Sequence, residues 1–573
     1  MKQIIRINCR TKEILKQPEG ETFKRLGGRG IISHIMLTET DPKTDPLGGG
    51  NKLILAGMLI AGTPAPTVNR LSVGGKSPLT KGIKESNVGG AAGAHMASHG
   101  IKALIFEELP EDRRLQIFRI KKDGECNFEN AEFLRGKGNY EASELLYEKY
   151  GKKCSLILNG VAGERGYLNS AILVSETGSG YPCRAAARGG LGAVMGSKGL
   201  KAIVIEKSES RWKEYADEEK FNLANKELAR SILKSRSFLS EAGTAGFVAA
   251  TTLNGIMPRH NFDASIMTEE QQKIFNVQAI VGRIRKYGGK TGAPCQAGCI
   301  VCCSNTVNDK GGVHLTSGFE YETLSLFGPN CDIYDVEPIF QMDRFCDDFG
   351  FDTIESATSV AVLMDAGKIG WGDSKAVLDM FDGFWEEGNQ AADDFGMGTE
   401  RLGKKAGAKH IPTVKGQSIA AYEPRNLKGT GTTYAISPMG ADHTCGPTLS
   451  RSDVPFMGKE GQVDASISMM AFMAACDCNA CILSWRGIAD AGEAYAAAVN
   501  AVLGYDYEFA DIIRMGKETI ERERMYNRLA GFTKDDDKLP KFFYNEPSVT
   551  GSVYDVPQIE IDIKWHGLTP YGG

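Results

Sequence analysis

The stretch CQAGCIVCC at 295–303 places four thiols, Cys295, Cys299, Cys302 and Cys303, within nine residues. A second group, CDCNAC at 476–481, lies far downstream. Thiolates two or three residues apart on a turning loop can converge on one soft metal centre. Iron–sulfur clusters take four such ligands, often several from one loop and one from a distant segment. On this reading Cys295, Cys299 and Cys303 are the loop ligands and Cys481 is the fourth. Zinc is an alternative, but its usual pair of CxxC signatures is met only by Cys299–Cys302 and Cys478–Cys481, far apart in the chain. Disulfides are a third reading.

Other segments carry groups suited to anions and protons. NRLSVGGKSPLT (69–80), SNVGGAAG (86–93) and RAAARGGLGAVMGSKGLKAIVIE (184–206) combine glycine with Asn, Arg or Lys. Glycine lets backbone N–H groups approach a ligand, and a guanidinium grips phosphate in bidentate fashion. None of the three matches a Walker A or dinucleotide fingerprint. In GFEYETLSLFGPN (318–330), Glu320 and Glu322 sit among apolar and aromatic neighbours, where a buried carboxylate can serve as a base. DDFGFD (347–352) sets Asp347 and Asp352 around a glycine turn. His443 lies in a Gly- and Pro-rich loop, YAISPMGADHTCGP, suited to an acid or hydrogen-bond donor. There is no HExxH, which argues against a zinc hydrolase. His95, His99 and His410 show no metal spacing.

Elements must position these groups. Five short β-type runs, at 52–62, 102–109, 115–124, 155–161 and 201–207, lie between Gly, Pro and Asn turns. Beyond residue 208 the periodicity becomes helical, at 217–239, 336–350, 375–408, 462–475, 487–503 and 508–531. The expected fold class is α+β. A β-rich cofactor-binding domain spans 1–207. A helical domain with the cysteine loop spans 208–413, and a helical domain with His443 and Cys481 spans 414–573. The chain has 573 residues, 42% hydrophobic and 24% charged, as in soluble globular proteins. A net charge of −5 offers no basic field for nucleic acid. Fourteen cysteines without a leader sequence or membrane-length apolar run imply a reducing cytoplasm. Most of the isolated cysteines read as buried small hydrophobes.

NRLSVGGKSPLT, SNVGG, ARGGLGAVMGSKGLKAI, FEYET, DDFGFD and GADH, in this order, resemble the aldehyde:ferredoxin oxidoreductases over essentially the whole chain. The resemblance implies a tungsten bis-pyranopterin cofactor, with molybdenum as the alternative metal, and one [4Fe–4S] cluster. Arg70 would lie between pterin and cluster. Backbone oxygens of Asn87 and Gly189 would bind a Mg2+ bridging the pterin phosphates. Gly89 and Arg188 would contact the cofactor. Asp347 and Asp352 match the family's DxxGLD motif, with Phe351 in place of Leu. Glu320 or Glu322, with His443, would flank the tungsten. The chain departs from the pattern in three places. Its first cysteines are spaced CxxxCxxxC, as in the bacterial branch, which makes Cys302 a substitute ligand candidate. The second pterin motif, DxxGLC, has Cys476 at its Asp position, so Asp477 would serve after a one-residue shift. Glu337 is followed by Pro338, Ile339 and Phe340, so the ExxH iron site of archaeal dimers is missing.

The implied activity is oxidation of a small aldehyde to its carboxylic acid. Electrons would leave through the cluster to ferredoxin or a small polyferredoxin-like subunit, in some assemblies with a flavin subunit using NAD. Two alternatives stand beside it. One is a class II benzoyl-CoA reductase-type catalytic subunit, and the other a non-catalytic iron–sulfur electron-transfer subunit.

Overall fold

Alternation of apolar residues along short strands folds the N-terminal third into two six-stranded sheets, described here from a computed structural model covering residues 2–112, 114–209, 214–236, 238–264 and 266–567. The first sheet contains β1 (Gln3–Asn8), β2 (Ile14–Pro18), β3 (Leu53–Gly57), β4 (Leu71–Lys76), β5 (Ile83–Val88) and β6 (Ile101–Glu107), ordered β2-β1-β6-β3-β4-β5. The second contains β7 (Gln116–Ile120), β8 (Cys126–Asn130), β9 (Cys154–Asn159), β10 (Ile172–Val174), β11 (Arg184–Ala186) and β12 (Leu200–Glu206), ordered β11-β10-β9-β12-β7-β8.

Side chains of a strand alternate between faces, and both faces here are apolar. Ile5 and Ile7 of β1 meet Ile203 and Ile205 of β12 in the core shared by the two sheets. Ile4 points the other way, onto Ile31, Ile32 and Ile35 of the helix Gly28–Glu39. Ala202 and Val204 likewise face Ala142 and Leu146 of the helix Asn139–Tyr150. The base is therefore four layers, helix–sheet–sheet–helix.

The remaining chain is mostly helical, as expected, with two unforeseen small sheets, the smaller a pairing of Thr413–Val414 with Gln417–Ser418. β13 (Lys290–Ala293), β14 (Ser304–Asn308) and β15 (His314–Ser317) are antiparallel neighbours in that order, and the cysteine loop is the connection from β13 to β14. The single helical stretch read at 375–408 is three helices, Ser374–Gly383, Gln390–Gly396 and Thr399–Ala406. Asn389 caps the second by accepting from the Ala391 and Ala392 N–H groups. The stretch at 487–503 is likewise divided, into Trp485–Asp490 and Gly492–Leu503. Among the described residues no single helix is long and apolar enough to cross a membrane.

The helix Gln462–Asn479 is the central rod of the helical part, buried over most of its length. The helix Phe509–Ala530 crosses it at Gly516, where an added Cβ would stand 2.0 Å from the Ala471 carbonyl oxygen and 2.5 Å from the Ala475 nitrogen. Alanine is the better helix former by about 1 kcal/mol. Backbone against backbone cannot yield that distance, so overpacking governs. Gly516→Ala is expected to destabilise the fold by about 1–3 kcal/mol, read from the urea midpoint of the purified chain.

Candidate active site

The two cysteine segments meet on the N-terminal base through the backbone of Thr67. Its carbonyl accepts from the Cys481 N–H at 3.0 Å and from Gln296 Nε2 at 3.3 Å, and its N–H donates to the Gly298 carbonyl at 3.1 Å. Gly90 N–H donates to the Cys295 carbonyl at 2.7 Å. Gly89 is needed here because a Cβ would come within 3.0 Å of that carbonyl oxygen and 3.3 Å of Cys295 Sγ. The neighbouring Cys299 and burial raise the Cys295 thiol, and Cys295 lowers Cys299. Cys303 and Cys481 are pushed up by burial. Cys302 takes a left-handed turn, φ 55°, and its thiol donates to the Cys299 carbonyl at 3.7 Å.

Arg70 lies just before β4, and β4 pairs Ser72 with Asn87 of β5. The guanidinium therefore bonds the Asn87 side chain through Nε and the Asn87 carbonyl at 3.1 Å, with Nη1 3.8 Å from Cys295 Sγ. Among the described residues no three of the cysteine sulfurs lie within 4.8 Å of one another. One tetrahedral zinc, with legs of about 2.3 Å, would hold them closer than that.

The carboxylates come from helix ends. Glu320 immediately precedes the helix Tyr321–Phe327, without its carboxylate capping it, and Glu322 lies in the first turn. Burial raises the Glu320 carboxyl, which accepts from Thr244 Oγ1 at 2.5 Å. Glu322 Oε2 accepts from the Ala421 N–H at 2.8 Å, and its Oε1 stands 3.4 Å from His443 Nε2. His443 Nδ1 is buried without a hydrogen-bond partner.

Buried ion pairs knit the base to the helical part. Lys84 Nζ contacts Asp442 Oδ2 at 2.6 Å. Burial alone would raise Asp442, but Lys84 and Arg188 hold it well below the usual carboxylate range. Arg188 donates to Asp352 at 3.4 Å, to the Ala441 carbonyl at 2.5 Å and to the Ser418 carbonyl at 2.7 Å. Asp352 Oδ1 in turn caps the helix Thr353–Asp365 by accepting from the Ile354 N–H. Arg29 grips Glu523 with Nε and Nη2, at 2.7 and 2.8 Å, and reaches Asp477 at 3.2 Å. Even so, burial pushes Asp477 up to about 6.

Most of the site residues read from the sequence line one cavity of about 360 Å³. It brings together Arg70, Asn87, Gly89, Arg188, Asp347, Asp352, Asp477, Cys295, Cys303, Cys481, Glu320, Glu322 and His443. Cys299 is half-buried behind the loop, and Gly189 does not line the cavity. The Gly189 carbonyl accepts from Ser77 Oγ at 2.7 Å. Glu337 pairs with Arg283 on the far side of the helix Val336–Phe349. His410, read as lacking metal neighbours, does gather with Asp263 and Glu546. Its Nε2 lies 2.9 Å from Glu546 and Lys409 pairs with the same carboxylate, as in an ion-pair network.

Sequence reasoning missed four lining residues. Asp343 stands one helical turn before Asp347, and that i,i+4 spacing was the available signal. Asp442 adjoins His443, and Arg184 opens the third glycine stretch. Glu85 sits two residues before Asn87 and carried no signal of its own.

The chain belongs to the aldehyde ferredoxin oxidoreductase family. Residues 4–207 match the model of that family's N-terminal domain, and residues 223–561 match that of its domains 2 and 3. The tungsten-containing aldehyde ferredoxin oxidoreductase of Pyrococcus furiosus is 31% identical, over 96% of this chain and 92% of its own. That of Thermococcus kodakarensis is 30% identical with the same coverage. A Pyrococcus furiosus aliphatic sulfonate oxidoreductase, WOR-like subunit, is 25% identical over 97% of this chain and 91% of its own. Among solved structures, the active-site complex BamBC of benzoyl-coenzyme A reductase shares the fold, with a TM-score of 0.77 at 17% identity, covering 99% of this chain and 94% of that one. The β-rich base followed by helices is thus the family's architecture, and the chain is an oxidoreductase of a tungsten-containing family.

Asp343 predicts a pH dependence. Burial pushes its carboxyl up to about 7 although Thr316 donates to it at 2.6 Å. An unfolded Asp titrates near 3.9. From roughly pH 4 to 7 the folded metal-free chain keeps a proton that the unfolded chain has released, so stability falls as pH rises through that window. Asp343→Asn is expected to flatten the fall, seen in urea midpoints measured across it.

Proposed function

We propose that the chain oxidises an aldehyde to its carboxylic acid, using a tungsten bis-pyranopterin in the cavity and a [4Fe–4S] cluster on Cys295, Cys299, Cys303 and Cys481. The observation that carries this reading is that one cavity is lined both by cluster thiols and by Glu320, Glu322 and His443. The residues fit the cofactor. Asp347 Oδ2, Glu85 Oε1 and Arg184 Nε are buried, lie on lining residues and have no partner within the chain. Such atoms are costly unless a bound polar group answers them. Asp347, Asp352 and Asp477 would meet the pterin rings, Gly89 and Arg188 would contact the cofactor, and Arg70 would bridge it to the cluster. A Mg2+ would use the second lone pair of the Asn87 and Gly189 carbonyls, whose first is held by Arg70 and Ser77.

When bound, the tungsten dithiolene supplies the two-electron oxidation and the cluster carries the electrons away singly. The chain's own groups manage position and protons. Glu322 Oε1 stands at Nε2 of His443, leaving Nδ1 as the ring atom that would donate to the developing oxyanion when the ring carries both protons. Glu320, raised by burial, stands ready to take a proton from water. Cys299 and Cys302 are half-buried, so the cluster end comes nearest to solvent, where a ferredoxin or polyferredoxin-like subunit would dock.

Metal analysis of anaerobically purified protein is expected to give about four irons and one tungsten per chain. Iron without tungsten or molybdenum would instead mark an electron-transfer subunit. At equal metal content, Glu320→Gln is expected to lower kcat with an artificial acceptor by roughly 10²–10⁴-fold. An unaffected rate, with the loss found in Glu322→Gln, would move the role to Glu322. Turnover of benzoyl-CoA with a strong reductant, and of no aldehyde, would replace the reaction.

A further inference from the structure

Converting an aldehyde and water to a carboxylic acid releases two protons with every two electrons. One proton leaves the water that adds to the carbonyl, and the other leaves the aldehyde carbon as its electron pair is withdrawn. The electrons have a way out past the cluster thiols. The protons need a separate one, because a base that keeps the first cannot take the second.

The segment leading from β15 into Glu320 rests on the helix Val336–Phe349 at two points. Thr316 Oγ1 donates to Asp343 Oδ2 at 2.6 Å, and the Phe319 ring meets Phe340, one turn before Asp343, with centres 4.8 Å apart. Asp343 thereby stands against the turn that carries Glu320, and both line the cavity. Asp347 follows one helical turn later on the same face and also lines it. Thr323 and Thr353 line it as well, their hydroxyls 2.9 Å apart. A hydroxyl donates and accepts at once, so it can pass a proton on without holding one.

Asp343 differs from the acids that join the base to the helical part. Asp352, Asp442 and Glu523 each pair with a cation. Among the described residues no cation pairs with the Asp343 carboxylate, which is 4% exposed and answered by a threonine hydroxyl. Burial raises it most, Thr316 and Arg184 draw it down and Glu320 adds to the rise, which leaves it titrating at about 7. Asp347, Cys183, Cys346 and Tyr140 face it too, each raised by its charge. Such a carboxyl gives and takes protons near neutrality, as an ion-paired one does not.

We propose that Asp343 is the proton-relay residue of this cavity, taking from Glu320 the proton that Glu320 has abstracted and passing it along the helix face toward Asp347 and the half-buried Asp348. One O–H bond breaks at Glu320 as one forms at Asp343, so Glu320 is free again for the second proton. The two electrons leave separately, to the iron–sulfur partner or, in an assay, to a dye. The proposal rests on the reaction assigned above and adds the path of its protons.

The test compares Asp343→Asn and Asp343→Glu with the unaltered enzyme at equal metal content, with a saturating dye acceptor. The unaltered enzyme is expected to gain kcat as pH rises through about 7, where Asp343 ionises. Asp343→Asn is expected to lose on the order of 100-fold in kcat, with KM changed by less than about twofold and that pH step gone. Its kcat is expected to fall further in D2O, and Asp343→Glu to recover most of the loss. A residue that only supports the fold would move KM or metal content and leave the pH step in place. Infrared spectra of the metal-free chain, carrying isotope-labelled aspartate, read the same group without turnover. A carboxyl band that disappears as pH rises through about 7 is expected, and is expected to be missing in Asp343→Asn. A kcat within about twofold of the unaltered value with the pH step intact, or the band unchanged in Asp343→Asn, overturns the relay while the reaction stands. Turnover of benzoyl-CoA and of no aldehyde removes the reaction instead. Protons then run inward, and the kcat of the same variant on that substrate decides the relay.

Discussion

The site depends on a backbone junction at Thr67. One carbonyl holds Cys481 and Gln296, and one N–H holds Gly298. The three segments joined there belong to the base, the cysteine loop and the end of the central helix. None of the three is an extended sheet or helix at that point, so no regular ladder satisfies their backbone groups. Each buried N–H and C=O must find a partner, and here the partners are on distant parts of the chain. The same bonds that satisfy the backbone therefore fix which thiols face one another. Thr67 reaches this geometry at φ 65°, a conformation that an ordinary residue keeps only when its surroundings over-determine it.

Charge is handled in the same manner. Taking a carboxylate out of water costs several kcal/mol unless a cation and further hydrogen bonds answer it. Asp442, Asp352 and Glu523 are answered by Lys84, Arg188 and Arg29, and in every case the cation comes from the N-terminal base. The helical part supplies acids to a base that supplies cations. Such pairing specifies how the two must meet, because sliding one past the other would strand buried charge. Asp347 and Glu85 break the pattern, with orphaned oxygens on residues that line the cavity. The exceptions collect where a polar ligand would sit, which separates a binding surface from an interface.

The strands were legible because an alternation of apolar residues leaves few other solutions for short runs between glycine turns. Observed β6, β7, β9 and β12 begin within a residue of the runs read for them, although β7 ends at Ile120, short of the run read to 124. The long helices were legible for the same reason at a different period. The division of 375–408 was not, since Asn389 reads as an ordinary polar residue until its carbonyl is seen to cap a new helix. The cysteines, Glu320, Glu322 and His443 could be singled out by type and setting. That Cys295, Cys303 and Cys481 line one cavity with Glu320, Glu322 and His443 could not, because it depends on pairings such as Gly90 with Gln296, about two hundred positions apart. Arg29 was invisible for a related reason. Its partners, Asp477 and Glu523, lie near the other end of the chain, and nothing local marks an arginine as fully buried.

The departure at the second pterin motif gains a physical context from this arrangement. Cys476 stands where the family pattern has Asp, and it is buried against apolar neighbours rather than facing the cavity. Asp477, one position on, lines the cavity and is reached by Arg29. A helix turns about 100° per residue, so a one-residue shift cannot preserve a side chain's direction by itself. The carboxylate faces the cavity here because the final turn of Gln462–Asn479 packs against Gly28–Glu39, whose Arg29 draws it over. Arg29 also holds Glu523 on the helix Phe509–Ala530. Three helices thus share one guanidinium, and the orientation of a cavity carboxylate is set by a residue that does not itself line the cavity.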